Sequence, residues 1–167
     1  IVAESKIKPW QNAKWVWDNP KAATAEQDNT PRYFRLVFEL DKKPSMAVLR
    51  ATADNVCTTH VNGKKLGTND PWMTPAQYDI TKLLKKGKNV IAIEATNAGG
   101  VAGLLASLIV DDSREIGTGQ TWKVTRQAGK QWTAVEFDDA TWADASELGP
   151  ASMGPWKLGP GSPPKGA

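Results

Sequence analysis

Ala53-Asp54-Asn55-Val56-Cys57-Thr58-Thr59-His60-Val61-Asn62-Gly63-Lys64-Lys65-Leu66-Gly67 carries the strongest hairpin pattern in the chain. It reads as a polar turn, a strand, a two-residue turn and a second short strand. Asn62-Gly63 is the strongest short-range hairpin signal, because a type I′ turn needs positive φ at both central residues. Strand alternation puts Thr58 and His60 on one face and Cys57, Thr59 and Val61 on the other. Asp54-Asn55 is a different signal. Such a pair after a strand is most often a turn, since both residues tolerate left-handed backbone and bond locally. Its side-chain oxygens can also face a common point.

Working outward, Tyr33-Phe34-Arg35-Leu36-Val37-Phe38-Glu39-Leu40 is rich in strand formers. Residues 46–53 predict another strand, alternating at Met46 and Val48 with a bulge near Ala51. Trp15-Val16-Trp17 alternates as an entering strand does, and residues 21–30 read as a polar surface loop. Downstream, residues 68–75 form a loop that carries Trp72 between Pro71 and Pro75. Residues 78–81 predict a strand running into one helical turn, capped by Asp79 or Thr81, faced by Leu83 and Leu84 and closed by Gly87. Residues 90–97 and 104–110 predict strands around a glycine-rich loop at 98–103. Ile116, Trp122 and Val124 mark shorter strands, and residues 137–142 a turn with Asp138 or Asp139 as its cap. Many short strands between turn signals, with no strand–helix alternation, predict an all-β sandwich with short helical turns. One domain spans residues 1–156, and residues 157–167 read as a Pro/Gly-rich tail or linker.

A chain of 167 residues suits one domain with a real core. Eight tryptophans are unusually many, and Trp10, Trp15, Trp17, Trp122, Trp132, Trp142 and Trp156 read as core and staple residues. A net charge of +3 is too small to argue for nucleic acid. The basic cluster Lys82, Lys85, Lys86 and Lys88 reads as a solvated end of a turn. No run of 18 apolar residues exists, so no membrane span is expected. The one cysteine, Cys57, excludes an internal disulfide and reads as a buried thiol. No signal peptide stands at Ile1, and the start without Met reads as an excised domain or a mature product.

The set Ala53-Asp54-Asn55, Val61-Asn62-Gly63, Gly67, Trp72, Pro75, Asp79-Ile80-Thr81, Leu84, Gly87-Lys88-Asn89-Val90-Ile91-Ala92, Asn97 and Gly103-Leu104 resembles galactose-binding-like jelly-roll domains. Within that superfamily it is most similar to the rhamnose-binding modules attached to α-L-rhamnosidases. Trp15-Val16-Trp17, Tyr33-Phe34-Arg35 and the late Trp122, Phe137-Asp138-Asp139, Trp142 and Pro155-Trp156 extend the likeness over nearly the whole chain. The resemblance implies a galactose-binding-like β-sandwich and a non-catalytic, carbohydrate-binding function within a larger extracellular or periplasmic protein. In those modules an Asp-Asn pair and a later Asn hold a calcium ion that contacts the sugar, and a loop Trp lines the site. The matching positions are Asp54, Asn55 and Asn97 for calcium, and these three with Trp72 for a rhamnose-like or galactose-like glycan. Further contacts in that family come from the loop after Asn97, residues 98–103 here, and have no residue-by-residue match.

The residue types suit the chemistry. Calcium takes six to eight oxygen ligands, and this trio offers one carboxylate and two amide oxygens. A sugar diol completes such a shell. Trp72 offers a flat apolar face, Pro71 and Pro75 stiffen its loop, and Gly99, Gly100 and Gly103 allow close approach of the backbone. Plainer readings stand beside these: a turn for Asp54-Asn55, a lid over the core for Trp72, a strand-end cap for Asn97. His60 has no evident catalytic partner. There is no H-E-x-x-H, G-x-S-x-G, Walker or G-x-G-x-x-G pattern. The pairs Asp111-Asp112 and Asp138-Asp139 read as turn chemistry rather than an acid/base couple, so the chain is not expected to be an enzyme. The alternative function is a structural or docking domain against a neighbouring catalytic or electron-transfer domain, without a ligand. A weaker third is protein or cell-surface recognition by the same loops.

Overall fold

Two long antiparallel pairs carry the fold, and each follows from the placement of apolar side chains. The structure is a computed structural model describing residues 6–159. Strand β1 is Lys14–Trp17, β2 Arg32–Leu40, β3 Ala47–Asp54, β4 Val56–Val61, β5 Lys64–Asn69 and β6 Ala76–Asp79. Strand β7 is Gly87–Thr96, β8 Gly103–Val110, β9 Arg114–Gly117, β10 Lys123–Thr125, β11 Ala143–Asp144 and β12 Ser146–Pro150. One sheet runs β12-β1-β8-β3-β6, with β9 also on β8; the other runs β11-β10-β2-β7-β4-β5. All pairings are antiparallel. This is the expected all-β sandwich.

In β2, Phe34, Phe38 and Leu40 are buried in the core; across the pair, β7 sends in Ile91, Ile93 and Ala95. In the first sheet, Leu104, Ala106, Leu108 and Val110 of β8 face the same core. Strand β8 is buried along its whole length, so it reads as a continuous apolar run. Its other face, at Leu105, joins a second cluster with Trp10, Ala13, Trp15, Ala151, Trp156 and Leu158.

Some expectations shift. Strand β3 turns Ala47, Leu49, Ala51 and Ala53 inward, while Met46 is 49% exposed. Its pairing with β8 is unbroken from Ala47 to Asp54, without the expected bulge. The bulkier Met46 and Val48 suggested the opposite phase, but small alanines fit where the second sheet packs close, and a one-residue shift inverts every side chain. The helical turn expected after residue 79 is a non-repeating turn: Leu83 and Leu84 N–H both donate to Ile80 O, and Asp79 Oδ1 accepts from Thr81 N–H. Gly87 (φ +94°) then opens β7. The polar stretch after β1 contains a 3-10 turn at Pro20–Ala23. Near the other end, Leu158 N–H donates to Ala151 O, so packing continues past Trp156; residues 160–167 of the expected tail, like Ile1, lie outside the described residues.

Six of the eight tryptophans are buried, and Trp72 and Trp132 are partly exposed. Trp132, expected in the core, instead lies on the outer face of the second sheet, edge-on to Tyr33 and His60. Arg35, fully buried beneath that segment, fixes it by donating to the carbonyls of Trp132 and Ala134 and to the Asp139 carboxylate.

A Cβ on Gly117 would sit 2.6 Å from Asn12 O and 2.7 Å from Ala13 Cα. Both are backbone atoms, so a strand must move. Gly117→Ala should cost about 2 kcal/mol in denaturant unfolding; a change smaller than about 0.5 kcal/mol contradicts this packing.

Candidate functional site

The candidate site forms where β3 of one sheet hands the chain to β4 of the other. Asp54 ends β3, Val56 begins β4, and Asn55 lies between them across a cis Asp54–Asn55 peptide. Asn55 N–H donates to Thr96 O at the end of β7 (2.9 Å). Its side-chain Oδ1 accepts from Ala98 N–H at 2.7 Å. These two bonds bracket Asn97. The structure therefore brings Asp54, Asn55 and Asn97 to one rim of the sandwich, from positions more than 40 apart in the chain.

Asn97 is fully buried. Its Nδ2 donates to Glu26 O (3.3 Å) and Gly100 O (3.2 Å), which uses both amide hydrogens. Its Oδ1 is buried with no partner. A buried acceptor left unpaired is costly and calls for an explanation. Other described atoms share this state, and Asn69 Oδ1 lies along the same stretch, its Nδ2 donating to Thr52 Oγ1 (3.3 Å); Asn97 is the one bracketed by the two Asn55 bonds.

Asp54 is 7% exposed. Its Oδ2 accepts from Trp156 Nε1–H at 3.0 Å. Burial raises its pKa, and the indole bond only partly opposes that. Trp156 stacks on Trp15, with centroids 4.2 Å apart. Trp72 and Val101 pack against the same cluster. The Trp72 ring is thus partly buried and partly open, neither a plug in the core nor a free platform. Its carbonyl accepts from Thr52 Oγ1 (2.8 Å), which ties the loop to β3. In the loop after Asn97, Gly99 (φ +142°) and Gly100 (φ +73°) have open space where a side chain would be. Gly103 does not: a Cβ there would meet Trp15 and Trp156, so that glycine serves packing rather than approach to a ligand.

Two contributors were not legible in the sequence. Glu26, in the expected surface loop, is buried, and its carbonyl orients the Asn97 amide. It is held by Asn19 Nδ2, by Asp28 N–H and by the buried Arg32, which also binds Asp18. The signal available was Arg32 itself, a charge at the start of an apolar strand that needs buried partners. Trp156, read as a staple, is also the donor to Asp54.

The donor set suits an oxygen-seeking cation in part. The Asn97 Oδ1 is unpaired, while Asp54 Oδ2 and Asn55 Oδ1 each already accept one hydrogen bond. Among the described residues no three His, Cys, Asp or Glu side chains cluster as a metal site. The paired acids are committed elsewhere: Asp111 accepts from Ser45 and Met46 N–H, Asp138 from Ala140 N–H, and Asp139 binds Arg35.

No family model matches the chain. The chain is 27% identical over 157 residues to an α-L-rhamnosidase of Streptomyces avermitilis, covering 87% of this chain and 15% of that protein. The crystal structure of the Streptomyces avermitilis α-L-rhamnosidase complexed with L-rhamnose superimposes with a TM-score of 0.85 at 25% identity, over 98% of this chain and 17% of that one. The apo lectin of Pleurotus ostreatus superimposes with a TM-score of 0.82 at 26% identity, over 93% of this chain and 47% of the lectin. The chain therefore spans a small part of the curated relatives it matches, between 15% and 20% of their length. Its fold is that of a galactose-binding-like sandwich related to a segment of α-L-rhamnosidases.

Trp156→Phe keeps a ring against Trp15 but removes the indole N–H that donates to Asp54. The Asp54 titration midpoint, followed by carboxyl NMR, should rise further, and stability should fall by about 1 kcal/mol. An unmoved midpoint contradicts the assigned bond.

Proposed function

We propose that this chain is a non-catalytic carbohydrate-binding module of a larger extracytoplasmic protein, with a calcium-assisted site at Asp54, Asn55, Asn97 and Trp72. The observation that carries the proposal is the buried, unpartnered Asn97 Oδ1 beside the Asp54-Asn55 step. The relatives add direction: one is a rhamnosidase solved with L-rhamnose, another a lectin. Among the described residues no helix is long and apolar enough to cross a membrane.

When bound, calcium would supply a positive centre that draws sugar hydroxyls into its shell. Asp54 contributes the one formal charge and Asn97 a fixed amide oxygen; Asn55 has its second lone pair. So few protein ligands make a weak cation site without sugar. Ion and sugar then strengthen each other by the same factor, as linkage requires. The open part of Trp72 suits the C–H face of a pyranose.

Calorimetry with L-rhamnose tests this. Wild type should bind in calcium and lose most of that binding in chelator. Asp54→Ala and Asn97→Ala should each weaken binding at least about tenfold, about 1.4 kcal/mol, and Trp72→Ala by a similar amount. Equal binding by all forms with and without chelator overturns the site. A melting temperature indifferent to calcium and to every sugar tried leaves the docking-domain reading.

The pH dependence has a definite sign. A raised Asp54 pKa means protons compete with the cation above the ordinary aspartate range. Calcium-dependent binding should therefore fall as pH drops through that raised value. In the cation-free protein the same group stabilises the fold most below its unfolded pKa, and that contribution is lost as pH rises through the folded one. Asp54→Asn should remove both effects; a binding profile that is flat down to the ordinary aspartate range contradicts this assignment.

A further inference from the structure

The end of the sandwich opposite the Asp54-Asn55 rim gathers lysines from three turns that are separate in sequence. Lys42 and Lys43 follow β2, and Lys64 and Lys65 follow the Asn62-Gly63 turn. Lys82, Lys85, Lys86 and Lys88 lie between β6 and the start of β7. The turns are fastened together. Lys43 Nζ donates to Leu84 O (3.0 Å). Asn62 Nδ2 donates to Leu83 O and Asn89 Oδ1, both at 2.9 Å. Leu40 pairs with Gly87. All eight lysines are exposed. Apart from Lys43, none of their ammonium groups has a hydrogen bond or ion pair among the described residues. Among the described residues the carboxylates of the flanking segments are Glu39, Asp41, Asp79, Asp111 and Asp112. Asp79, Asp111 and Asp112 are engaged with Thr81, with Ser45 and Met46, and with Lys6 and Ile7 N–H.

We propose that this lysine-rich end is a second binding surface, for an acidic polysaccharide whose residues carry carboxylates. Like charges held together on rigid turns raise a local positive potential that a polyanion relieves. The choice of a glycan rests on the carbohydrate-binding reading above, and the turns themselves favour it. They present no aromatic ring on which a nucleobase could stack. The eight lysines are point charges without the guanidinium fork that grips phosphate; the exposed Arg114 reaches the same end, but its Nη1 donates to Glu39 O (3.3 Å). Among the described residues Met46 is the only large apolar side chain exposed there, too little to enter a bilayer. Strand β7, 10 residues long, sets this surface roughly 30 Å from the rim, so the two surfaces can be tested apart.

The test titrates the full chain with polygalacturonate in chelator. Wild type should bind at low salt and weaken at least about tenfold between about 50 and 300 mM salt, as screening shortens the reach of exposed charges. The quadruple variant Lys64→Gln, Lys65→Gln, Lys85→Gln, Lys86→Gln should lose at least about tenfold in affinity with its melting temperature unchanged, because all four side chains are exposed. Lys42→Gln with Lys88→Gln should lose part of it. Asp54→Ala should bind polygalacturonate as wild type does, so failure at the rim and failure here are read separately. No binding at low salt, binding that survives the quadruple change, or duplex DNA or phosphatidylserine vesicles bound at least as tightly as polygalacturonate would overturn the proposal.

Discussion

The two sheets are joined at the candidate site by a single residue, Asn55, and the rest of the rim depends on how that residue is held. Its N–H reaches Thr96 O and its side chain accepts from Ala98 N–H. These bonds fix the end of β7 against the β3–β4 step. The same bonds place Asn97 beside the Asp54-Asn55 step. Fold and site are therefore one construction here: the backbone connection that lets the chain change sheets also sets the spacing of the polar groups.

Around that step the structure holds polar atoms in places that cost stability. Asp54 is buried with one indole donor, and Asn97 Oδ1 has none. Removing polar groups from water without full pairing is unfavourable. Well-packed and ion-paired groups surround them. Trp156 is stacked on Trp15, and Glu26 is anchored by the buried Arg32 and its carboxylate partners. The charged ends differ in kind: buried and sparsely paired at the rim, exposed and cationic at the other end. A net charge of +3 conceals that contrast.

Much of this was legible in the sequence because it depends on local rules. The Asn62-Gly63 turn has φ of +48° and +85°, as a type I′ turn requires. The alternation around His60 and Cys57 sets their faces correctly. The β3 register was not legible, since alanines carry little apolar signal and the pairing partner decides the phase. The Trp132 position was not legible either, because a tryptophan can cover the outside of a sheet as readily as fill its core. The role of Glu26 is a backbone carbonyl contact made 71 residues away from Asn97, and no side-chain pattern encodes it.

The most direct measurement is a crystal structure of the chain grown with calcium and L-rhamnose, with anomalous data collected to identify the ion. The expected result is a cation at the rim, ligated by Asp54 and by Asn97 Oδ1, with sugar hydroxyls completing its shell next to Trp72. Density showing water alone between those residues, or a cation and sugar bound elsewhere, would contradict it.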